Sequence, residues 1–124
     1  MNSIRLDKPW EGRDEFFQTH WQRLNALTRN PWLQAETLVK NMQAYAAEGM
    51  VYVEYQIGAS SYEGPNGETI DATQAFDILR ETLARKDVRD LDVIVRFQLA
   101  ILRFLPNAED QLRRVYKLVH DNAD

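Results

Sequence analysis

The chain has 124 residues, a formal charge of −4, and 44% hydrophobic and 27% charged residues, a composition that suits one soluble globular domain at most. Its arginines are interspersed with acids, as in Arg80-Glu81 and Arg89-Asp90, which speaks against the basic face of a nucleic-acid binder. The absence of cysteine excludes disulfides and zinc–thiolate sites. The apolar stretch Val93 to Leu105 is broken by Arg96, Gln98 and Arg103, short of the ~20 apolar residues of a membrane span, and the polar start with Arg5, Asp7 and Lys8 carries no signal-peptide core.

Taken in chain order, Phe17, Trp21 and Leu24 recur at helical spacing between Asp14 and Leu27, with Phe16 and Leu27 widening the stripe. Asn30-Pro31 then pairs an N-cap residue with a proline at the first helical position, and the helix it opens runs to about Glu48. Its apolar face holds Trp32, Ala35, Leu38, Val39, Met42 and Ala46, and Gly49 is the expected stop. Met50 to Ile57 alternates as a strand, with Val51, Val53, Tyr55 and Ile57 on one face and Tyr52, Glu54 and Gln56 on the other.

A long loop from Gly58 to Ile70 follows, containing Gly64-Pro65-Asn66-Gly67. Asp71 with Gln74 then forms the start of a helix reaching Lys86, buried through Ala75, Phe76, Leu79 and Leu83. Leu91 to Phe104 holds a second strand, apolar on both faces. Pro106 ends that region, and Asn107 is the expected cap of a last helix with Leu112, Val115, Tyr116 and Val119. The predicted fold class is α/β, in the order α-α-β-α-β-α, with two parallel strands joined by a right-handed crossover. Two strands are too few for an independent parallel sheet, whose faces need cover on both sides. The pattern reads as a slice of a larger architecture, residues 1–124 forming one partial domain.

Two segments carry a family resemblance. Ala46-Ala47-Glu48-Gly49-Met50-Val51-Tyr52-Val53-Glu54-Tyr55 resembles the second barrel strand of the adenosine deaminase family of the amidohydrolase superfamily, in which a helix ends in Glu-Gly or Asp-Asn and runs into Val-x-Tyr-x-Glu-x-Arg. Val95-Arg96 and Ile101-Leu102-Arg103-Phe104-Leu105-Pro106 are similar to that family's third strand, which has an arginine near its start and ends in Arg-x-x-Pro. The helices before Met50 resemble the insertion between strands one and two. The resemblance implies a fragment of a TIM-type (β/α)8 barrel, covering roughly the second and third units and the helices before them. It departs from the family at Gln56, where an arginine is usual, and at Gly58-Ala59, where Ser-Pro often closes the strand.

The implied parent is a zinc-dependent purine nucleoside deaminase, a hydrolase whose metal-bound water attacks the purine carbon bearing the amine. The family holds zinc with a His-x-His pair, a further histidine and an aspartate. This chain has no His-x-His, and its two histidines are His20 and His120. No catalytic or metal residue is therefore assigned to it, zinc is expected only in the intact parent, and the isolated chain is expected to be inactive. By resemblance, Phe16, Phe17 and Trp21 lie near an aromatic gate over the substrate pocket, although such a stripe is first of all core. Glu54, in the strand interior, calls for a structural ion pair with Arg96 on the neighbouring strand. Ser60, Ser61, Tyr62 and Glu63 lie in a loop on the strands' C-terminal side, where barrel active sites meet their ligands, but surface solvation explains them before ligand contact does. The alternative is a stand-alone α/β interaction or oligomerisation module without catalysis. Expected partners are a second copy or the missing remainder of the barrel, with no nucleic acid and no membrane, and with purine nucleoside bound only in the intact parent.

Overall fold

The computed structural model describes residues 12–58 and 62–122. From Arg13 to Thr28 the chain makes short helical turns in place of the single predicted helix, including a π turn over Phe16–His20 and a 3-10 turn over Gln22–Leu24. The Trp21 amide donates to the Phe16 carbonyl, five residues back, at 2.7 Å, and the Leu24 amide to the Trp21 carbonyl, three back, at 3.1 Å. Helical regularity is sustained chiefly by a face that packs on something. Phe17 and Trp21 are each 48% exposed, so packing does little to hold the 3.6-residue period.

Helix α1, Pro31–Ala47, begins as its sequence dictates. The Asn30 side chain accepts from the amides of Trp32 and Leu33, both at 3.1 Å, and Pro31 has no amide to leave unpaired. Gly49, at φ 82°, turns the chain out of the helix, a backbone state with little penalty only for glycine. Strand β1, Tyr52–Gly58, follows, then a hairpin of β2, Tyr62–Glu63, and β3, Thr69–Ile70. That hairpin lies inside the predicted loop, and its turn chemistry explains it. The Gly67 amide donates to Gly64 at 3.0 Å across Pro65-Asn66, Gly67 takes φ 78°, and the Gly64 amide closes onto the Glu68 carbonyl at 2.8 Å. This is a turn with proline at its second position followed by a left-handed glycine, a common way to join two short strands.

Helix α2, Ala72–Ala84, is capped by Asp71, whose carboxylate accepts from the Thr73 amide at 3.2 Å. It ends two residues before the predicted Lys86, because Arg85 swings to ψ 142°, and a short helix α3, Lys86–Arg89, completes the crossover. Strand β4, Ile94–Ala100, and helix α4, Ala108–Asp121, close the described chain. Asn107 does not cap α4 with its side chain, which accepts instead from the Gln111 amide group at 3.1 Å.

Strands β1 and β4 pair in parallel, residue for residue from Tyr52 with Ile94 to Gly58 with Ala100, as the strand–helix–strand pattern predicts. The molecule is thus a mixed α/β fold with a small parallel sheet, and its described strands form no closed barrel. The odd-numbered face of the sheet packs on helices. Ile57 is buried with Ala35, Leu38, Val39 and Met42 of α1, Leu79 of α2 and Val88 of α3, with Tyr55, Val95 and Leu99 against them. Met42 and Leu83 share a groove of about 370 Å3 with Val93, Ile94 and Val95. Both helices therefore bring their C-terminal parts to the start of the strands, and their N-termini lie at the strands' C-terminal end. Among the described residues nothing packs on the even-numbered face: Tyr52, Glu54, Gln56, Ile94, Arg96 and Gln98 are all exposed.

Candidate functional site

The C-terminal end of the parallel strands gathers three segments. The first comprises the helical turns before Asn30, brought there by the direction of α1. The second is the hairpin after β1, which tucks against that region through the Glu63 amide and the Arg29 carbonyl, 2.9 Å apart. The third is the turn after β4, where Leu102 and Phe104 are 53% and 71% exposed. In a sheet of this topology the same end is where ligands are met.

Phe16, Phe17 and Trp21 form one aromatic cluster in the helical turns before Asn30. Ring centroids are 5.3 Å apart for Phe16 and Phe17, edge to face, and 5.9 Å and 6.5 Å from each of these to Trp21. The π turn brings Trp21 back over both phenylalanines. The expectation that this stripe is core is corrected: it stays at the surface as a half-exposed apolar platform. His20, beside it in sequence, is buried.

Glu54 and Arg96 are register partners on one face of the sheet, as expected. The ion pair between them does not form, and that assignment is corrected. The Glu54 carboxylate accepts from the Tyr52 hydroxyl at 2.9 Å and from the Gln98 side-chain amide. The Arg96 guanidinium donates to the adjacent Val95 carbonyl at 3.4 Å. The physical reason is exposure. On an uncovered face the carboxylate is hydrated and needs no counter-charge, so two neutral donors on the same face suffice. The hydrogen bond to Glu54 holds the Tyr52 phenol above its ordinary pKa, with partial burial and the carboxylate's charge adding to the effect and Arg96 opposing it. Tyr52 and Gln98 were legible as neighbours of this group, since each lies two residues from Glu54 or Arg96 on the same face of its strand.

Ser60 and Ser61 lie outside the described residues. Tyr62 is not a solvated loop residue: it is 2% exposed, its hydroxyl donates to the Gly58 carbonyl at 2.6 Å, and burial pushes its pKa up to about 12. Together with Ile70 and Ala75 it locks the hairpin over the end of β1. Elsewhere, Arg85 joins α1 to the crossover through Glu36, at 2.5 Å, and Asp87, at 2.7 Å. The Arg85 hydrogen bonds hold the Asp87 carboxyl below its usual range.

Among the described residues no group of three or more histidine, aspartate or glutamate side chains converges as a metal site. His20 lies in the N-terminal turns, whereas His120 lies on α4, 75% exposed and 3.4 Å from the adjacent Asp121 carboxylate. The two histidines thus lie on separate elements, at the two ends of the described chain. No family model, curated protein or solved structure matches this chain.

Proposed function

We propose that the chain is a wall segment of an adenosine deaminase-like, zinc-dependent (β/α)8 hydrolase. It supplies roughly the second and third units of the barrel and the helices before them, and it is inactive by itself. The observation that carries this reading is the division of the β1–β4 sheet into two unlike faces. Helices cover the odd-numbered face completely enough to bury Ile57 to 4% exposure. The even-numbered face is bare and mixed in polarity, as a barrel strand is before the remaining strands close around it. The aromatic cluster of Phe16, Phe17 and Trp21, in the turns that lead into the N-terminus of α1, agrees with the cover that the resemblance implies for a purine pocket.

In this reading the chain's own residues shape and cover the pocket. Glu54, held by Tyr52 and Gln98, adds a fixed negative charge to the barrel lining. The metal ligands and the proton-transfer groups belong to strands that this chain does not contain. The test is made on the complete product of the natural reading frame, assayed for bound zinc and for release of ammonia from adenosine. Stoichiometric zinc and turnover, with a His-x-His strand preceding these residues, are expected. A complete product without that strand, or one that binds zinc and leaves purine nucleosides untouched, overturns the proposal.

A further inference from the structure

The uncovered sheet face is self-complementary, and we infer that the 124-residue chain dimerises through it, face to face with a second copy. This rests on the geometry of the face alone and not on the barrel reading.

The face presents four levels, each a register pair: Tyr52 with Ile94, Glu54 with Arg96, Gln56 with Gln98, and Gly58 with Ala100. A two-fold axis parallel to the strands, midway between two facing sheets, sets β1 of one copy over β4 of the other and keeps every level in place. Glu54 then faces the second copy's Arg96, and Arg96 faces its Glu54. The apolar pair Tyr52 and Ile94, 51% and 55% exposed, cover each other. The glutamines meet as mutual donors and acceptors, and the small residues meet where the sheets approach. Arg96 is available for this contact, because its only described bond is a long one to a neighbouring carbonyl.

Charge also selects the operator. A two-fold axis perpendicular to the strands, through their midpoints, lays β1 over β1 and sets Glu54 over the second copy's Gln56 and Arg96 over its Gln98, so neither charge meets its opposite. Only the parallel operator satisfies both charges. Facing sheets pack ~10 Å apart and cross at ~30°. The charged level is one residue from the strand midpoints at Tyr55 and Phe97, so at a rise of ~3.3 Å this crossing displaces it by only ~2 Å.

Two seven-residue strands give a patch of roughly 23 by 10 Å, which makes an interface well below the ~1,200 Å2 of stable complexes. The dimer is therefore weak and depends on concentration and salt.

The experiment is sedimentation equilibrium of the whole chain from roughly 10 µM to 1 mM, the range suited to a small interface. The native chain is expected to shift from monomer to dimer across it. Glu54→Arg and Arg96→Glu each place like charges face to face, and each alone is expected to weaken association by roughly tenfold or more. Mixed in equal amounts, these two variants present one fully basic and one fully acidic face and are expected to associate again as a heterodimer. Such rescue between separate chains cannot come from a folding defect. A native chain that stays monomeric throughout, single variants that dimerise like the native chain, or a mixture that stays monomeric would each overturn the inference. Association through the sheet edges or α4 would appear as the second of these outcomes.

Discussion

Replacement of Leu79 by alanine tests the packing that orients everything else. Leu79 is 2% exposed, at the centre of the crossover helix α2, in one cluster with Leu38, Met42, Ile57 and Val88. The substitution removes about three carbons' worth of transfer free energy, roughly 2 kcal/mol at ~0.8 kcal/mol per methylene. A cavity term adds to this, because α1 and the sheet hold their positions, and buried leucine-to-alanine changes cost about 2–5 kcal/mol. A loss of about 3 kcal/mol is expected. Urea unfolding followed by tryptophan fluorescence reads it directly: with a slope near ~1.5 kcal/mol per molar, the midpoint falls by about 2 M. The control is Tyr116→Ala on α4, where the ring is 74% exposed and the expected change is within ~0.5 kcal/mol. Equal losses at Leu79 and Tyr116 would refute the placement of α2 across the sheet.

Removing the Asn30 cap by Asn30→Ala is expected to cost about 1 kcal/mol in the same unfolding assay, since two helix amides lose their acceptor. Tyr62→Phe is expected to lose about 1 kcal/mol by leaving the Gly58 carbonyl without its donor. The native Tyr62 pKa is raised from 10 to about 12, so the folded state holds its proton more tightly than the unfolded state. That contribution is complete below pH 10 and lost as pH rises towards 12; unfolding midpoints measured across this window should fall more steeply for the native chain than for Tyr62→Phe. The isolated chain, incubated with zinc, is expected to release no ammonia from adenosine, and turnover that co-elutes with it across column fractions would overturn the wall-segment proposal.

The parallel pair and its crossover were legible because their signals are local and strong. Val53, Tyr55 and Ile57 alternate with polar residues, Asn30-Pro31 starts a helix by its chemistry, and Asp71 starts another. The N-terminal turns were not legible, since the periodicity of Phe17, Trp21 and Leu24 predicts a packed helix and only tertiary context reveals that Phe17 and Trp21 stay half-exposed. The hairpin at Tyr62–Ile70 was visible in part. Pro65-Asn66-Gly67 specifies its turn, but strands of two residues carry no alternation to detect.

The candidate site shows a different limit. Sequence reasoning paired Glu54 with Arg96 because an interior strand carboxylate is costly without a counter-charge. The register was right, yet the premise of burial was not, and burial is a property of what lies on the far side of the sheet. With that side open, Tyr52 and Gln98 satisfy the carboxylate and Arg96 is left to the solvent. Cover the face and the balance reverses: Glu54 loses its hydration, Arg96 loses its own, and each then requires an opposite charge within reach. Closure by further barrel strands and closure by a second copy both supply such a layer, but they differ in symmetry. A barrel can satisfy Glu54 and Arg96 with unrelated residues, whereas a two-fold dimer must satisfy each with the other. Reciprocal rescue between the Glu54→Arg and Arg96→Glu variants therefore separates the two kinds of cover at the same pair of residues.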